Sequence, residues 1–323
     1  MLDDRQIKRL LLRAAARDEG SAEALAQLYR SVAPLMLGVI NRTKAVFAGR
    51  RGAPLLQAYY DLAKLLRKGA VYSRTTTWVF RAAPAVGLAA VVAALALAPA
   101  GGVPAPLAFA GDWVLLAYAL GLMRFFTVIA ALDTGSSFEG MGASREVQFS
   151  ALAEPALIVG LAALGRAGGA LSLSEMYAGI HAAAWLRAGP ALALVAAALL
   201  LVFLAENARI PVDDPNTHLE LTMIHEVMIL DYTGPDLAFV LYGAALKLWV
   251  FGGLIVNLAL APLELSGAGA LVAFGAAMAA LAVAVGVIES VMARLSLLKV
   301  PQMLLGAGAL SALAFALVAR FSS

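Results

Sequence analysis

Long apolar stretches alternate with short polar ones along most of the chain. Runs at about 82–99, 111–132, 149–165, 189–205, 236–262, 268–288 and 302–320 each have the length a helix needs to cross the hydrocarbon core of a bilayer. Lipid offers backbone amides no hydrogen-bond partner, so such runs fold as helices. Residues 32–48 carry a shorter run, interrupted by Asn41, Arg42 and Lys44. The pattern predicts an all-α, polytopic integral membrane helical bundle with seven to eight transmembrane helices.

The first thirty residues break this pattern. Ile7, Leu10, Leu11 and Ala14 recur at helical spacing, and Asp3 or Asp4 can cap a short amphipathic helix ending near Gly20. The segment lacks the apolar core of a signal peptide. The chain is therefore divided into a polar amphipathic N-terminal segment, 1–30, and a transmembrane domain, 31–323.

Charge sets the orientation. Segment 42–81 holds Arg42, Lys44, Arg50, Arg51, Lys64, Arg67, Lys68, Arg74 and Arg81 against the single acid Asp61. The next loop, 100–110, has no basic residue. Lysine and arginine favour the cytoplasmic side of short loops. This bias makes 42–81, 133–148, 206–235 and 289–301 the cytoplasmic loops of a multi-pass protein in a bacterial or archaeal cytoplasmic membrane.

Composition narrows the function. The chain is 62% hydrophobic and 14% charged, so an ordinary soluble domain is excluded. It has no cysteine, which rules out thiolate-ligated iron–sulfur clusters and Cys-based zinc sites in this chain. A nucleic-acid role has no support, because no basic soluble face with interleaved aromatics exists. No Ser/His/Asp arrangement or nucleotide-binding motif is present, so no active site of its own is expected.

Against this apolar background the stretch "AENARIPVDDPNTHLELTMIHEVMILDYTGPDLA", residues 205–238, concentrates ionisable groups. Carboxylates in or beside membrane helices are costly and mark ion or proton pathways by default. Glu154, inside a span and followed by Pro155, and Lys247, inside another, are the strongest candidates. Glu146 beside Arg145, and Glu264 in a loop, are expected to pair locally. His218 and His225 lie about 10 Å apart on a helix, too far to share a metal ion without further ligands. Pro211 and Pro215 flank Asp213 and Asp214 and stiffen the acidic loop into a docking surface.

The stretch from Glu206 to Phe251 closely resembles the membrane subunit of formate hydrogenlyase and hydrogenase-4 complexes, known as subunit 4 or component C. That family is related to the quinone-module membrane subunit of respiratory complex I. "FEGMGASREVQFSALAEPAL" and "GRRGAPLLQAYYDLAKLLRKG" match the same family, and the resemblance covers about residues 33–320. The family starts with a full apolar first helix, where this chain has a mostly polar segment.

The resemblance implies a non-catalytic membrane anchor and ion-coupling subunit of a membrane-bound [NiFe]-hydrogenase complex. Its partners would be the hydrogenase large and small subunits and an iron–sulfur protein on the cytoplasmic face, with antiporter-like subunits in the bilayer. The [NiFe] centre and the iron–sulfur clusters would belong to those partners. By motif position, Glu139, Glu154, Glu206, Asp213, Glu220 and Glu226 would form the hydrophilic path for protons or sodium, with Lys247 beside them. Arg50, Arg51, Arg145 and Arg209 would be interface cations, together with Asp214, His218, His225 and Asp231 in or beside the acidic loop. The alternatives are a quinone-module subunit of the complex I type and a stand-alone secondary transporter. The transporter would call for interrupted helices at matching places in two halves, and no convincing repeat is present.

Overall fold

Seven helices among the described residues are long and apolar enough to cross a membrane, and the chain is an all-α polytopic bundle. The computed structural model describes residues 21–210, 224–292 and 295–321, with Gln6, Arg9, Leu10 and Arg13 before them. Most of the amphipathic stretch expected before Gly20 lies outside the described residues. In chain order the helices are α1 (Ser21–Phe47), α2 (Gln57–Leu66), α3 (Trp78–Leu97), α4 (Asp112–Asp133), α5 (Ser137–Gly168), α6 (Leu173–Gly179), α7 (Ala182–Glu206), α8 (His225–Met228), α9 (Gly234–Leu260), α10 (Gly267–Val291) and α11 (Lys299–Phe321). The seven spanning helices are α3, α4, α5, α7, α9, α10 and α11.

Helix α9 lies at the centre, packed on α1, α2, α3, α7 and α10. From Ala245 to Leu258 every residue but Ile255 is buried, as suits a helix that is apolar almost all round. The outer helices α10 and α11 instead leave Val272, Val283, Leu305 and Leu313 exposed, as lipid contact requires.

Two boundaries differ from those expected. Residue 30 is not a division, because α1 runs through it from Ser21 to Phe47. Tyr29, Ala33, Met36 and Ile40 form a stripe at helical spacing and are all buried. Tyr29 packs on Trp249 and Phe274, with ring centroids 5.3 and 5.8 Å away. This stripe packs α1 into the bundle across residue 30. Farther along α1, a Cβ on Gly286 of α10 would lie 2.7 Å from Thr43 Cβ and 3.0 Å from the Ile40 carbonyl oxygen. Only glycine permits that approach.

The second difference is the loop expected at 133–148. Most of it is helix, since α5 starts at Ser137. Glu139 and Glu146 are seven residues apart and so share a face of α5. That face turns inward and both residues are buried. Polar side chains that find partners inside the bundle do not have to mark a loop.

The basic side is fastened by polar contacts between connections. Asp133 at the end of α4 accepts from the Thr77 amide (2.7 Å) and hydroxyl, and the Thr77 hydroxyl caps α3 through the Val79 amide (3.2 Å). Tyr72 donates to Asp236 (2.7 Å), and the Val71 amide donates to the Thr233 hydroxyl (3.0 Å). Tyr232 stacks on Phe80 with centroids 4.1 Å apart and donates to its carbonyl. Burial pushes the Tyr232 phenol well above its ordinary pKa, so it stays a donor.

Candidate functional site

Arg124 is the only charged residue between Asp112 and Asp133 in α4, and it is buried. Three carboxylates from two other helices meet it. Nη1 donates to Glu154 Oε1 at 2.6 Å, Nη2 donates to Glu206 Oε1 at 2.8 Å, and Nε lies 3.3 Å from Glu146 Oε1. Lys247 of α9 approaches the other oxygen of Glu206 at 3.6 Å, and His225 Nε2 stands 3.5 Å from Glu146 Oε2. Five elements, α4, α5, α7, α8 and α9, thus supply one node.

The local sequence explains how. Glu146 and Glu154 lie eight residues apart on α5, so both can turn toward α4. Glu206 is the last residue of α7, and Asn207 and Arg209 turn the chain away through amides donating to the Phe203 and Leu204 carbonyls. The rigid, planar guanidinium presents five donors in a fixed fork and so can hold several carboxylates in set directions, which the flexible lysine ammonium does not impose.

The charge count is unbalanced. Arg124 and Lys247 supply two cations against the three carboxylates Glu146, Glu154 and Glu206, and a protonated His225 would bring the node to neutrality. In a low-dielectric interior the states with and without that proton differ strongly in the field they impose on their neighbours.

The node forms the polar end of a cavity of about 390 Å³. Leu37 of α1, Leu62 of α2, Met123 and Leu241 line its apolar part, and Glu146, Glu206, His225 and Lys247 line the charged part with Arg124. Several buried polar atoms here have no hydrogen-bond partner among the described residues: Arg124 Nε, Glu206 Oε2, Asn207 Oδ1, Arg209 Nε and both ring nitrogens of His225. Arg124 Nε and His225 Nε2 are within ion-pair distance of Glu146 but are not aligned for hydrogen bonds. Buried polar groups of this kind are ordinarily satisfied by ordered water.

A second cluster stands near the node. Glu289 of α10 binds Lys44 of α1 at 2.5 Å and Arg209 at 3.4 Å, tying α1, α10 and the segment after α7 together. Arg209 also lines the cavity.

Of the residues singled out from sequence, Glu154, Glu206 and Lys247 come together at Arg124. Glu139 is fully buried on α5 but contacts the Asp231 amide (3.4 Å), with Oε2 unpartnered among the described residues. Glu226 is exposed and borders the cavity. His225, expected at a partner interface, faces Glu146 inside the cavity. Glu146, expected to pair with its neighbour Arg145, turns inward to Arg124, because successive residues on a helix do not face each other. Glu264, the other expected local pair, accepts from the Ala182 amide at 3.2 Å. Arg50, Arg51 and Asp231 are exposed on the basic side, and Arg145 is half-buried. Asp213, Asp214, His218 and Glu220 lie outside the described residues.

Arg124 itself is missing from the residues that the sequence singles out. Its signal is present, a single arginine inside an otherwise apolar span, which is by default a functional position. Carboxylates draw attention because they cluster in sequence, whereas Arg124 reaches them only in space. Among the described residues no group of three histidine, aspartate or glutamate side chains is arranged to hold a metal ion.

Formate hydrogenlyase subunit 4 of Escherichia coli (strain K12) is 31% identical over 217 residues, 67% of this chain and 69% of that protein. Hydrogenase-4 component C of the same organism is 33% identical over 239 residues, 73% and 74% of the two chains. A chain in the structure of the membrane-bound sulfane sulfur reductase (MBS), an archaeal respiratory membrane complex, shares the fold. Its TM-score is 0.75 at 17% identity, covering 96% of this chain and 99% of that one. A family model described as NADH dehydrogenase matches residues 22–320, which starts at α1 rather than after it. Since that match includes α1 and every residue of the Arg124 node, the chain belongs to the NADH dehydrogenase family.

Proposed function

We propose that this chain is the membrane anchor and ion-coupling subunit of a membrane-bound [NiFe]-hydrogenase complex of the formate hydrogenlyase type. The observation that carries the coupling role is the Arg124 node, an internal charge cluster one proton away from neutrality. Its likeness to formate hydrogenlyase subunit 4 and hydrogenase-4 component C supports the hydrogenase assignment. Redox chemistry would take place in the large and small subunits, which would carry the [NiFe] centre and iron–sulfur clusters and dock on the basic side. Arg50 and Arg51 are exposed there. A change of charge at that interface would change the field at Glu146 and His225, and through Arg124 at Glu154 and Glu206. Protons are the ion this node suits, with sodium as the other candidate. Antiporter-like subunits would carry the ion across.

The test is affinity purification of the tagged chain in mild detergent, followed by assays of hydrogen evolution and of ion uptake in reconstituted vesicles. Nickel- and iron–sulfur-bearing partners with hydrogen evolution are expected. Glu206→Gln should keep hydrogen evolution while abolishing ion uptake. Recovery of the chain without hydrogenase activity would overturn the assignment. The cavity favours one second reading, a quinone-module subunit, because an apolar chamber ending on charged groups suits a quinone head and tail. Quinone reduction by the purified complex, without hydrogen evolution, would select it.

A further inference from the structure

The positive charge that the node lacks is present beside it. Arg124 and Lys247 face Glu146, Glu154 and Glu206, which leaves the node one permanent cation short. The neighbouring cluster has one to spare, with Lys44 and Arg209 against Glu289 alone. Lys44 holds Glu289 at 2.5 Å, whereas Arg209 Nη1 reaches it only at 3.4 Å. Arg209 Nε is buried without a hydrogen-bond partner among the described residues. Glu206 Oε2 is in the same condition, and Lys247 comes no closer to it than 3.6 Å. Arg209 and Glu206 line one cavity.

The backbone keeps these two groups close. The Ala208 amide donates to the Ala205 carbonyl at 3.1 Å and the Arg209 amide to the Leu204 carbonyl at 2.8 Å, so a tight turn closes α7. Ala208 stands in it with a φ of 50°, a left-handed conformation that helix ends ordinarily give to glycine. Strain of this kind gathers at working sites. Arg209 therefore leaves the chain three residues from Glu206 on a set turn, with open space beside it.

We propose that Arg209 is the movable counter-ion of the node, its guanidinium exchanging Glu289 for the free oxygen of Glu206. Lys44 stays on Glu289 in both positions, so the exchange leaves no buried carboxylate bare. A guanidinium is always charged, and its movement therefore delivers one positive charge to the node. Arg209 acts as a positioning residue, setting the field at Glu206 and, through it, at Arg124. This rests on the reading of the node as a coupling site and names the group that changes its charge.

Double-mutant cycles read by thermal melting of the purified complex test the two positions without reference to activity. Arg209→Gln combined with Glu206→Gln, and Arg209→Gln combined with Glu289→Gln, should each miss additivity by about 2 °C or more. Coupling to Glu289 alone would make Arg209 a fixed tie and overturn the proposal, as would coupling to neither. In reconstituted vesicles, ions taken up per hydrogen evolved should fall about tenfold in Arg209→Gln, an ordinary size for coupling between two sites. Arg209→Lys should recover most of that ratio, since the exchange needs the charge rather than the fork. An unchanged ratio in Arg209→Gln, or an equal loss in Arg209→Lys, would overturn the proposal. Hydrogen evolution without ion uptake in the unsubstituted complex would remove the coupling reading, and the melting cycles would still decide where Arg209 goes.

Discussion

The two ends of the bundle bury polar side chains in opposite ways. On the side away from the basic loops, Asp112 is fully buried and completely used. Oδ1 accepts from the Leu173 amide at 2.7 Å, and Oδ2 accepts from the Ser172 hydroxyl at 2.7 Å and the Phe109 amide at 3.4 Å. Asn257 of α9 is used in the same way, donating to the Pro99 carbonyl at 2.7 Å and accepting from the Gly101 amide at 3.1 Å. Its partners belong to the turn after α3. At the Arg124 node the partners are themselves ionised side chains, several polar atoms remain without partners among the described residues, and a cavity adjoins them. Neutral donors fixed in the backbone make a clamp with one state. Ionisable partners around open space make a site with at least two. Burial alone does not separate structural from working polar groups, but the kind of partner does.

The largest effect should come from removing the hub. Arg124→Leu leaves Glu146 and Glu206 buried without their main cation, a loss of about 3–5 kcal/mol. Thermal melting in detergent, read by fluorescence-detected gel filtration, should show a collapse of the folded peak. A near-normal melt would mean that the carboxylates simply protonate and that the node has no structural role. Asp112→Ala should cost about 2–3 kcal/mol, because hydrogen bonds to a charged group are lost and buried donors are left without an acceptor. Restoring Tm with Asp112→Asn, which retains acceptor capacity on one oxygen, is expected only in part.

Arg124→Lys sharpens the contrast, since it keeps the charge and loses the fork. Its Tm should fall by less than that of Arg124→Leu, while ion uptake by the reconstituted complex is lost. Uptake at the normal rate would show that position, not shape, is what the node requires of residue 124. The smallest effect, about 1 kcal/mol in the same melting assay, is expected for Ser311→Ala. That change removes one buried hydrogen bond, to the carbonyl of Ala156, the residue after Pro155, at 2.8 Å.

The spans were legible in the sequence because each is continuous and its length is set by the bilayer. The expected 189–205 and 268–288 fall inside α7 and α10. Helix α1 was half legible. Its stripe of Tyr29, Ala33, Met36 and Ile40 is readable once residue 30 is not taken as a boundary, but Arg30, Asn41, Arg42 and Lys44 dilute its hydropathy. Polar residues in α5 suggested a loop for the same reason, since hydropathy cannot know that Glu139 and Glu146 will find partners inside. At the site, Glu154, Glu206 and Lys247 could be picked out singly as costly charges in apolar spans.

By itself, the sequence determined that this is a membrane-spanning helical protein, which way its basic loops bias it, and that it cannot ligate a cysteine-bound cluster. Those properties follow from local transfer energies and from chemical composition, which need no knowledge of neighbours. Only the tertiary structure decided that Glu146 belongs to Arg124 and not to Arg145, that His225 faces inward, and that Glu154 reaches the outer surface. These are matters of which helices stand side by side and how each is rotated. Coulomb interaction depends on separation in space, and residues 124, 154, 206 and 247 are brought within a few ångströms only by the packing of α4, α5, α7 and α9.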